Sequence, residues 1–352
     1  MPGIIRPIAV IGAGGIVRTA HLPAYRLAGF PVVGVHDLDG ARAQALAGDF
    51  GIPRTFATLD EMVASVPPDT IFDCALPASQ ILPTLERLPD GAAVLIQKPL
   101  GRDLAEALAI RALCRRRQLK AAVNFQLRFA PQILAARDAI ARGLIGEVHD
   151  LEVRITVNTP WHLWAFFADI SRVEILYHSV HYIDLIRSFL GDPAGIHART
   201  VKDPVAVASR LASTRSAILL DYGDTMRATI TTNHGHDFGL KHQESYVKWE
   251  GSRGAIKARL GLLLDYPTGK PDCLEICERL PSGAVTEWRE IPVTGSWFPH
   301  GFIGPMASLM RHATGEAGAP PTGIDDACRT MAVVEAAYLS SQSGGTPVPA
   351  TP

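Results

Sequence analysis

The chain has 352 residues, 47% hydrophobic and 20% charged, which is enough material for about two packed cores and too apolar for a disordered or fibrous chain. Its 34 Lys and Arg against 35 Asp and Glu leave no bulk positive field, which disfavours nucleic acid or an anionic membrane as principal partner. Met1 to Ile11 lacks the zones of a secretion signal and no apolar run approaches membrane-spanning length, so a soluble cytoplasmic protein is expected.

Up to Val123 the chain alternates short β-branched runs with helical stretches, the appearance of a βαβ succession and a parallel sheet. Strands are expected at Ile8–Ile11, Val32–His36, Thr70–Ala75, Ala93–Ile96 and Ala121–Asn124, and helices at Ile16–Ala28, Gly40–Phe50 and Leu104–Arg117. After Asn124 the rhythm changes. Gln132–Arg142 has a helical stripe closed by Gly143, a strand follows at His149–Val157, and Ser179–Leu190 is helical up to Gly191-Asp192-Pro193. Hairpin-linked runs then follow at Ile196–Val201, Val205–Ala212, Ser216–Tyr222, Met226–Thr232, Glu244–Glu250, Ala255–Leu260, Leu274–Leu280 and Val285–Ile291. Helices are expected at Phe302–Thr314 and Ile324–Ser341, before a loose Gly/Pro-rich tail. The expected fold is α/β plus α+β: a Rossmann domain over 1–123, then a substrate-binding and oligomerisation domain over 124–352. The latter holds a large, mostly antiparallel open sheet with helices on one face.

The five cysteines are scattered without a C-x-x-C pair and indicate reduced thiols, and the strand-like surroundings of Cys273 and Cys277 favour packing over metal ligation. His234 and His236, with Asp237, suggest a solvated hairpin end, so no metal site is expected.

The strongest local motif is Ile8-Ala-Val-Ile-Gly12-Ala-Gly14-Gly15-Ile16-Val17, a strand running through a glycine turn into a helix. Gly12 permits the tight turn and Gly14 lets the backbone approach a pyrophosphate, whose charge meets N–H groups at the helix start around Gly15 and Ile16. Val17 stands where the fingerprint has its third glycine. A second strand ends 25 residues after Gly12 in Asp37, an acid placed to bind adenosine ribose hydroxyls and repel a 2′-phosphate, which favours NAD. Arg42 keeps NADP open. Lys98 follows the strand "AAVLI" in Gln97-Lys98-Pro99, at the carboxyl edge where doubly wound sheets bind ligands. Its ammonium could hydrogen-bond a substrate hydroxyl or relay a proton.

Four segments in order carry a resemblance to a known family: the glycine turn continuing to "AHLPAYR", "QKPLGRDLAEA" at Gln97–Ala107, "NFQLRFAPQILAARDAIARGLIGEVHDLEV" at Asn124–Val153, and "HSVHYIDLIRSFLGDP" at His178–Pro193. The chain resembles the glucose-fructose oxidoreductase / inositol dehydrogenase / MocA (Gfo/Idh/MocA) family. The resemblance implies a catalytic Lys98 and a His181 that acts as base or orients substrate. Asp184, three residues on, could orient the imidazole. The chain departs from the family in several places. Tyr177 stands where an acid is common and could replace it as acid/base, Ser179 replaces a glycine, Gln97 replaces a common Glu, and Leu76-Pro77-Ala78-Ser79 only loosely follows the T-P segment beside the nicotinamide. Asn124 is placed with the cofactor contacts. Substrate contacts are expected from Trp161, His162 and Trp164, from His178 beside the catalytic histidine, and from Arg128, with Trp297-Phe298-Pro299-His300 as a second aromatic loop.

These readings imply an NAD(P)-dependent oxidoreductase acting on a sugar, polyol or related hydroxy compound, assembled as a homodimer or homotetramer. Two alternatives stand beside it: a catalytically silent dinucleotide sensor, and an enzyme using NAD transiently for elimination or isomerisation.

Overall fold

The computed structural model describes residues 1–202, 204 and 211–347. The expected strand Val205–Ala212 lies outside the described residues except for its last two positions. Two compact units result, one of 1–138 with 292–331 and the other of 139–291 with 332–352. Residues 124–138 and 292–331, expected with the second domain, therefore pack with the first.

The first unit is built on a parallel six-stranded sheet of β1 (Ile8–Ile11), β2 (Val32–His36), β3 (Thr55–Phe56), β4 (Ile71–Cys74), β5 (Ala93–Ile96) and β6 (Lys120–Val123), in the order β3-β2-β1-β4-β5-β6. All residues of β1, β4 and β5 are buried because helices cover both faces of such a sheet, which is why these strands are continuous apolar runs. Asp73 in β4 is the exception. The helices are α1 (Leu22–Ala28), α2 (Gly40–Phe50), α3 (Leu59–Ser65), α4 (Ala78–Leu85), α5 (Leu104–Arg116) and α6 (Pro131–Ala141). α2, α3 and α5 start at Asp39, Thr58 and Asp103, whose side chains accept from the third helical N–H and so cap free donors. β3, α3 and α4 were not anticipated: two are very short and α4 carries an internal Pro83. The helix expected from Ile16 has a π turn, Val17–His21, before α1 begins. Its apolar face joins a core with Val10, Val35, Leu46 and Phe302.

The second unit carries an eight-stranded sheet of β7 (Val148–Thr156), β8 (Gly195–Val201), β9 (Arg215–Asp221), β10 (Arg227–Asn233), β11 (Glu244–Gly251), β12 (Gly254–Arg259), β13 (Cys273–Glu278) and β14 (Arg289–Glu290), in the order β14-β13-β12-β11-β7-β10-β9-β8. Every pair is antiparallel except β7 with β10 in the middle. The expected strand Val285–Ile291 shrinks to β14, because only Arg289 and Glu290 ladder with β13. β9 and β10 alternate buried and exposed residues, so one face is packed. On the packed face lies α7 (Val180–Leu190), entered through another π turn, Ile175–Ser179, with the Phe189 ring 5.1 Å from Trp249 of β11. α8 (Ile303–Ala313) belongs to the first unit, and the boundary between units falls inside α9 (Ile324–Ser343). In the second unit the end of α9 is stitched to β8, Ser340 Oγ accepting from Ala198 N at 2.9 Å.

Candidate active site

The glycine turn lies at the carboxyl end of β1, where the strand order reverses. Gly12 N donates to His36 O on one side and Ala75 N to Ile11 O on the other. Such a reversal opens the crevice in which doubly wound sheets hold ligands. Gly12 has φ +103°, and a Cβ there would stand 2.5 Å from Ala75 O, so no other residue fits. Gly14 and Gly15 differ: a Cβ added at either meets nothing within 4 Å. That open space at a helix start is the cradle a pyrophosphate requires, and the residues present fit a dinucleotide. Ile16 stands at the head of the π turn.

Asp37 is no free turn residue. One oxygen accepts from Ala13 N at 2.7 Å and the other from Asp39 N at 2.8 Å, so the carboxylate ties the glycine turn to the end of β2 with lone pairs left for ribose hydroxyls. Arg42 stands 4.0 Å from Asp37 and 3.4 Å from Asp39, and it is exposed. Leu76 and Pro77 follow β4, and Pro77 immediately precedes α4. Gln97 follows β5, with its N–H on Cys74 O at 2.9 Å, and Asn124 follows β6, with its N–H on Ile96 O at 2.8 Å. Lys98 is next to Gln97 and half-buried, and burial lowers its pKa from 10.5 to about 8. An amine with such a pKa exchanges a proton near neutrality, which its position alone did not reveal.

Arg128 is buried, its guanidinium donating to Asp326 at 2.6 Å and to Pro321 O at 3.0 Å, which braces the start of α9. The loop Trp297–His300 likewise packs within the first unit, with the Phe298 ring 4.7 Å from Phe302. A buried cluster went unnoticed in the sequence. His21 Nδ1 and the Tyr25 hydroxyl each lie 2.7 Å from Asp73 Oδ2, and Asn124 Nδ2 lies 3.3 Å from His21 Nε2. The available signal was an aspartate inside the apolar run "IFDCAL", since an acid with no water must have donors.

In the second unit, Tyr177, His178 and His181 sit on the π turn and the first turn of α7. His181 and Asp184 are buried, while Tyr177 and His178 are half-buried. Trp161 stands edge-on to Phe167 at 5.5 Å and to His178 at 5.2 Å, and Phe167 edge-on to Tyr177 at 5.1 Å. The expected aromatic contacts thus gather around His178, with Trp164 beside Phe167 at 6.4 Å and His162 exposed. His234 is not a solvated hairpin end: it is 1% exposed, its ring 4.4 Å from that of His178. Beneath it lies Glu174, fully buried, which the sequence reading passed over. Glu174 accepts from Ser179 Oγ at 2.7 Å and from Ser216 Oγ, and its Oε1 is at ion-pair distance, 3.6 Å, from His234 Nε2. Burial pushes this carboxyl up, but the His234 ring and the two hydroxyls outweigh burial and hold it below the usual carboxylate range.

Comparison with known proteins decides the family. Residues 6–125 match the oxidoreductase family with an NAD-binding Rossmann fold, and residues 133–257 match the GFO/IDH/MocA C-terminal domain. A 1,5-anhydro-D-fructose reductase of Ensifer adhaerens is 30% identical over 74% of this chain and 77% of its own length. The chain belongs to the Gfo/Idh/MocA oxidoreductase family. Among other Gfo/Idh/MocA relatives, a D-apiose dehydrogenase of Paraburkholderia graminis is 26% identical across 96% of this chain and 88% of its own. An Agrobacterium radiobacter oxidoreductase solved with NAD+, L-tartaric acid and magnesium shares the fold, with a TM-score of 0.78 at 21% identity over 97% of this chain and 98% of its own. The Gfo/Idh/MocA assignment makes the chain an NAD(P)-binding oxidoreductase with a Rossmann domain and a second, mostly antiparallel sheet. Among the described residues no helix is long and apolar enough to cross a membrane.

Proposed function

We propose that the chain is an NAD-dependent dehydrogenase or reductase of a sugar, polyol or related hydroxy compound. The observation that carries this reading is the pairing of an open glycine cradle at Gly14 and Gly15 with a lysine, two strands away at the sheet's carboxyl edge, whose pKa is near 8. Family relatives named as D-apiose dehydrogenase, 1,5-anhydro-D-fructose reductase and inositol 2-dehydrogenase support the substrate class. Gly12, Gly14, Gly15 and Ile16 hold the pyrophosphate, Asp37 the adenosine ribose, and Leu76, Pro77, Gln97 and Asn124 the nicotinamide half. Asp37 favours NAD over NADP, because a carboxylate repels a 2′-phosphate.

When bound, NAD supplies the hydride acceptor. In alcohol oxidation, Lys98 as neutral amine takes the hydroxyl proton while the carbon gives up its hydride, and reduction returns the same proton. His181 is the second proton-handling group and Asp184 orients it. Tyr177 stands in for the acid common in the family. Trp161, Trp164 and His178 present aromatic faces to the C–H faces of the substrate, with His162 as a polar contact. We assign the protein to the cytoplasm and to a homodimer or homotetramer.

The test is a screen of aldoses, polyols and their lactones with NAD and NADP, read at the reduced-nicotinamide absorbance, wild type against Lys98→Ala. Turnover with at least one candidate and its loss in Lys98→Ala is expected. Equal activity of the two proteins removes Lys98 from the mechanism, and binding of NAD without turnover of any candidate favours the sensor reading.

A further inference from the structure

Glu174 stands at the head of the π turn Ile175–Ser179 and bonds to its far end. One carboxylate oxygen accepts from Ser179 Oγ at 2.7 Å, five residues on, and the other accepts from Ser216 Oγ of β9. Glu174 and Ser179 are both fully buried, so water cannot replace either partner. In an ordinary α-helix, residues five apart lie roughly 140° from each other around the axis, and their side chains do not meet. A π turn holds one residue more and brings positions i and i+5 together, as the bond from Val180 N–H to Ile175 O shows in the backbone. The Glu174–Ser179 bond therefore belongs to the π register and is lost in the α register. Relaxation to the α register would rotate the residues on one side of the turn by about 100° relative to those on the other. Through Ser216 the same carboxylate ties the turn to the sheet, and two further bonds hold it there: Glu174 N–H to Ser213 Oγ at 3.3 Å and Leu176 N–H to the Tyr338 hydroxyl at 3.2 Å. Tyr177 and His178, in the same turn, are half-buried, with the Phe167 ring 5.1 Å from the first and the Trp161 ring 5.2 Å from the second. Ser179 is also where the chain departs from the family's glycine, which has no hydroxyl to donate.

We propose that Glu174 and Ser179 are positioning residues: their bond across the π turn, anchored to the sheet by Ser216, sets the direction in which Tyr177 and His178 meet the substrate. The inference rests on the dehydrogenase reading above, in which those two residues face the substrate, and adds what aims them. The clasp is made of hydroxyl donors on a carboxylate that burial, the His234 ring and the two serines leave ionised, so Glu174 acts as acceptor throughout.

The test uses a substrate found in the screen, with kcat and KM taken per NADH-binding site so that unfolded protein is not counted. Ser179→Ala is expected to lower kcat/KM by about tenfold or more, chiefly in kcat, while NADH affinity by fluorescence titration changes less than about twofold. Ser179→Gly lacks the same hydroxyl but weakens a helix by about 1 kcal/mol relative to alanine. Positioning requires the two variants to lose the same activity, whereas a merely structural serine would make the glycine variant worse in step with its lower melting temperature. Glu174→Gln, whose amide carbonyl still accepts from Ser179, is expected to fall between the wild type and Ser179→Ala. Hydrogen exchange read by mass spectrometry needs no substrate. In Ser179→Ala it is expected to quicken by about fivefold or more over 175–180 and to stay at the wild-type rate over 184–190. Unchanged kcat/KM in Ser179→Ala, a glycine variant markedly less active than the alanine one, or unchanged exchange over 175–180 overturns the clasp. If Ser179→Ala does not fold, Glu174→Gln decides, and wild-type activity and exchange there overturn the clasp. Absence of turnover by the wild type overturns instead the dehydrogenase reading, and exchange then decides the clasp alone.

Discussion

Lys98 offers the sharpest test of the chemistry, because its environment sets the pH at which it can act. Burial lowers its pKa from 10.5 to about 8, since a half-buried ammonium gives up hydration that the neutral amine does not need. At pH 7 about one lysine in eleven is neutral, at pH 8 half, and at pH 9 about ten in eleven. If the neutral amine takes the hydroxyl proton, kcat/KM for alcohol oxidation rises roughly tenfold between pH 7 and pH 9 and then levels, whereas at an unshifted pKa it would still be climbing at pH 10. The reverse reaction needs the ammonium and falls over the same interval. Initial rates from pH 6 to 10 at fixed ionic strength, with a substrate from the screen, give the profile. Lys98→Arg keeps the positive charge but cannot lose it, so it should lower kcat/KM by about 10²–10⁴ and erase the inflection near 8. An oxidation profile flat from pH 7 to 9, or the same inflection retained in Lys98→Arg, would refute the reasoning.

Gly14→Val should place its side chain in the open cradle, weakening NADH at least tenfold by fluorescence titration with little change in melting temperature, because nothing in the protein lies within 4 Å of the new Cβ. Asp37→Ser should raise the NADP-to-NAD ratio of kcat/KM by about tenfold or more; an unchanged ratio would show that Asp37 serves only its bonds to Ala13 and Asp39. Glu174→Gln should cost about 1–3 kcal/mol in denaturant unfolding at pH 7, since it exchanges the charge-assisted hydrogen bonds from Ser179 and Ser216 for weaker ones to a neutral amide. Because the Glu174 pKa is lowered in the folded state, its contribution is present above the ordinary carboxylate value of 4.5 and is lost as pH falls below it. The gap between wild type and Glu174→Gln should therefore close on acidification.

What could be known from the chain alone was whatever local chemistry dictates. Runs such as "PIAVIG" and "AAVLIQ" must be buried on both faces, a glycine turn between strand and helix fits only one kind of connection, and β-branched alternation forces the second sheet. Short pieces escaped for the converse reason: β3 has two residues and β14 two, too few for any periodicity, and Pro83 hides α4. The partners of buried polar groups could not be known, because they lie far apart in sequence. Asp73 meets His21 across 52 positions, Ser216 meets Glu174 across 42, and Arg128 meets Asp326 across 198. Only the folded chain decided that Arg128 is paired with a carboxylate, that His234 is buried against His178 and Glu174, and that burial brings Lys98 into the range of a working base. Local sequence sets which backbone conformations are cheap, whereas desolvation and pairing depend on what the rest of the chain places around each charge.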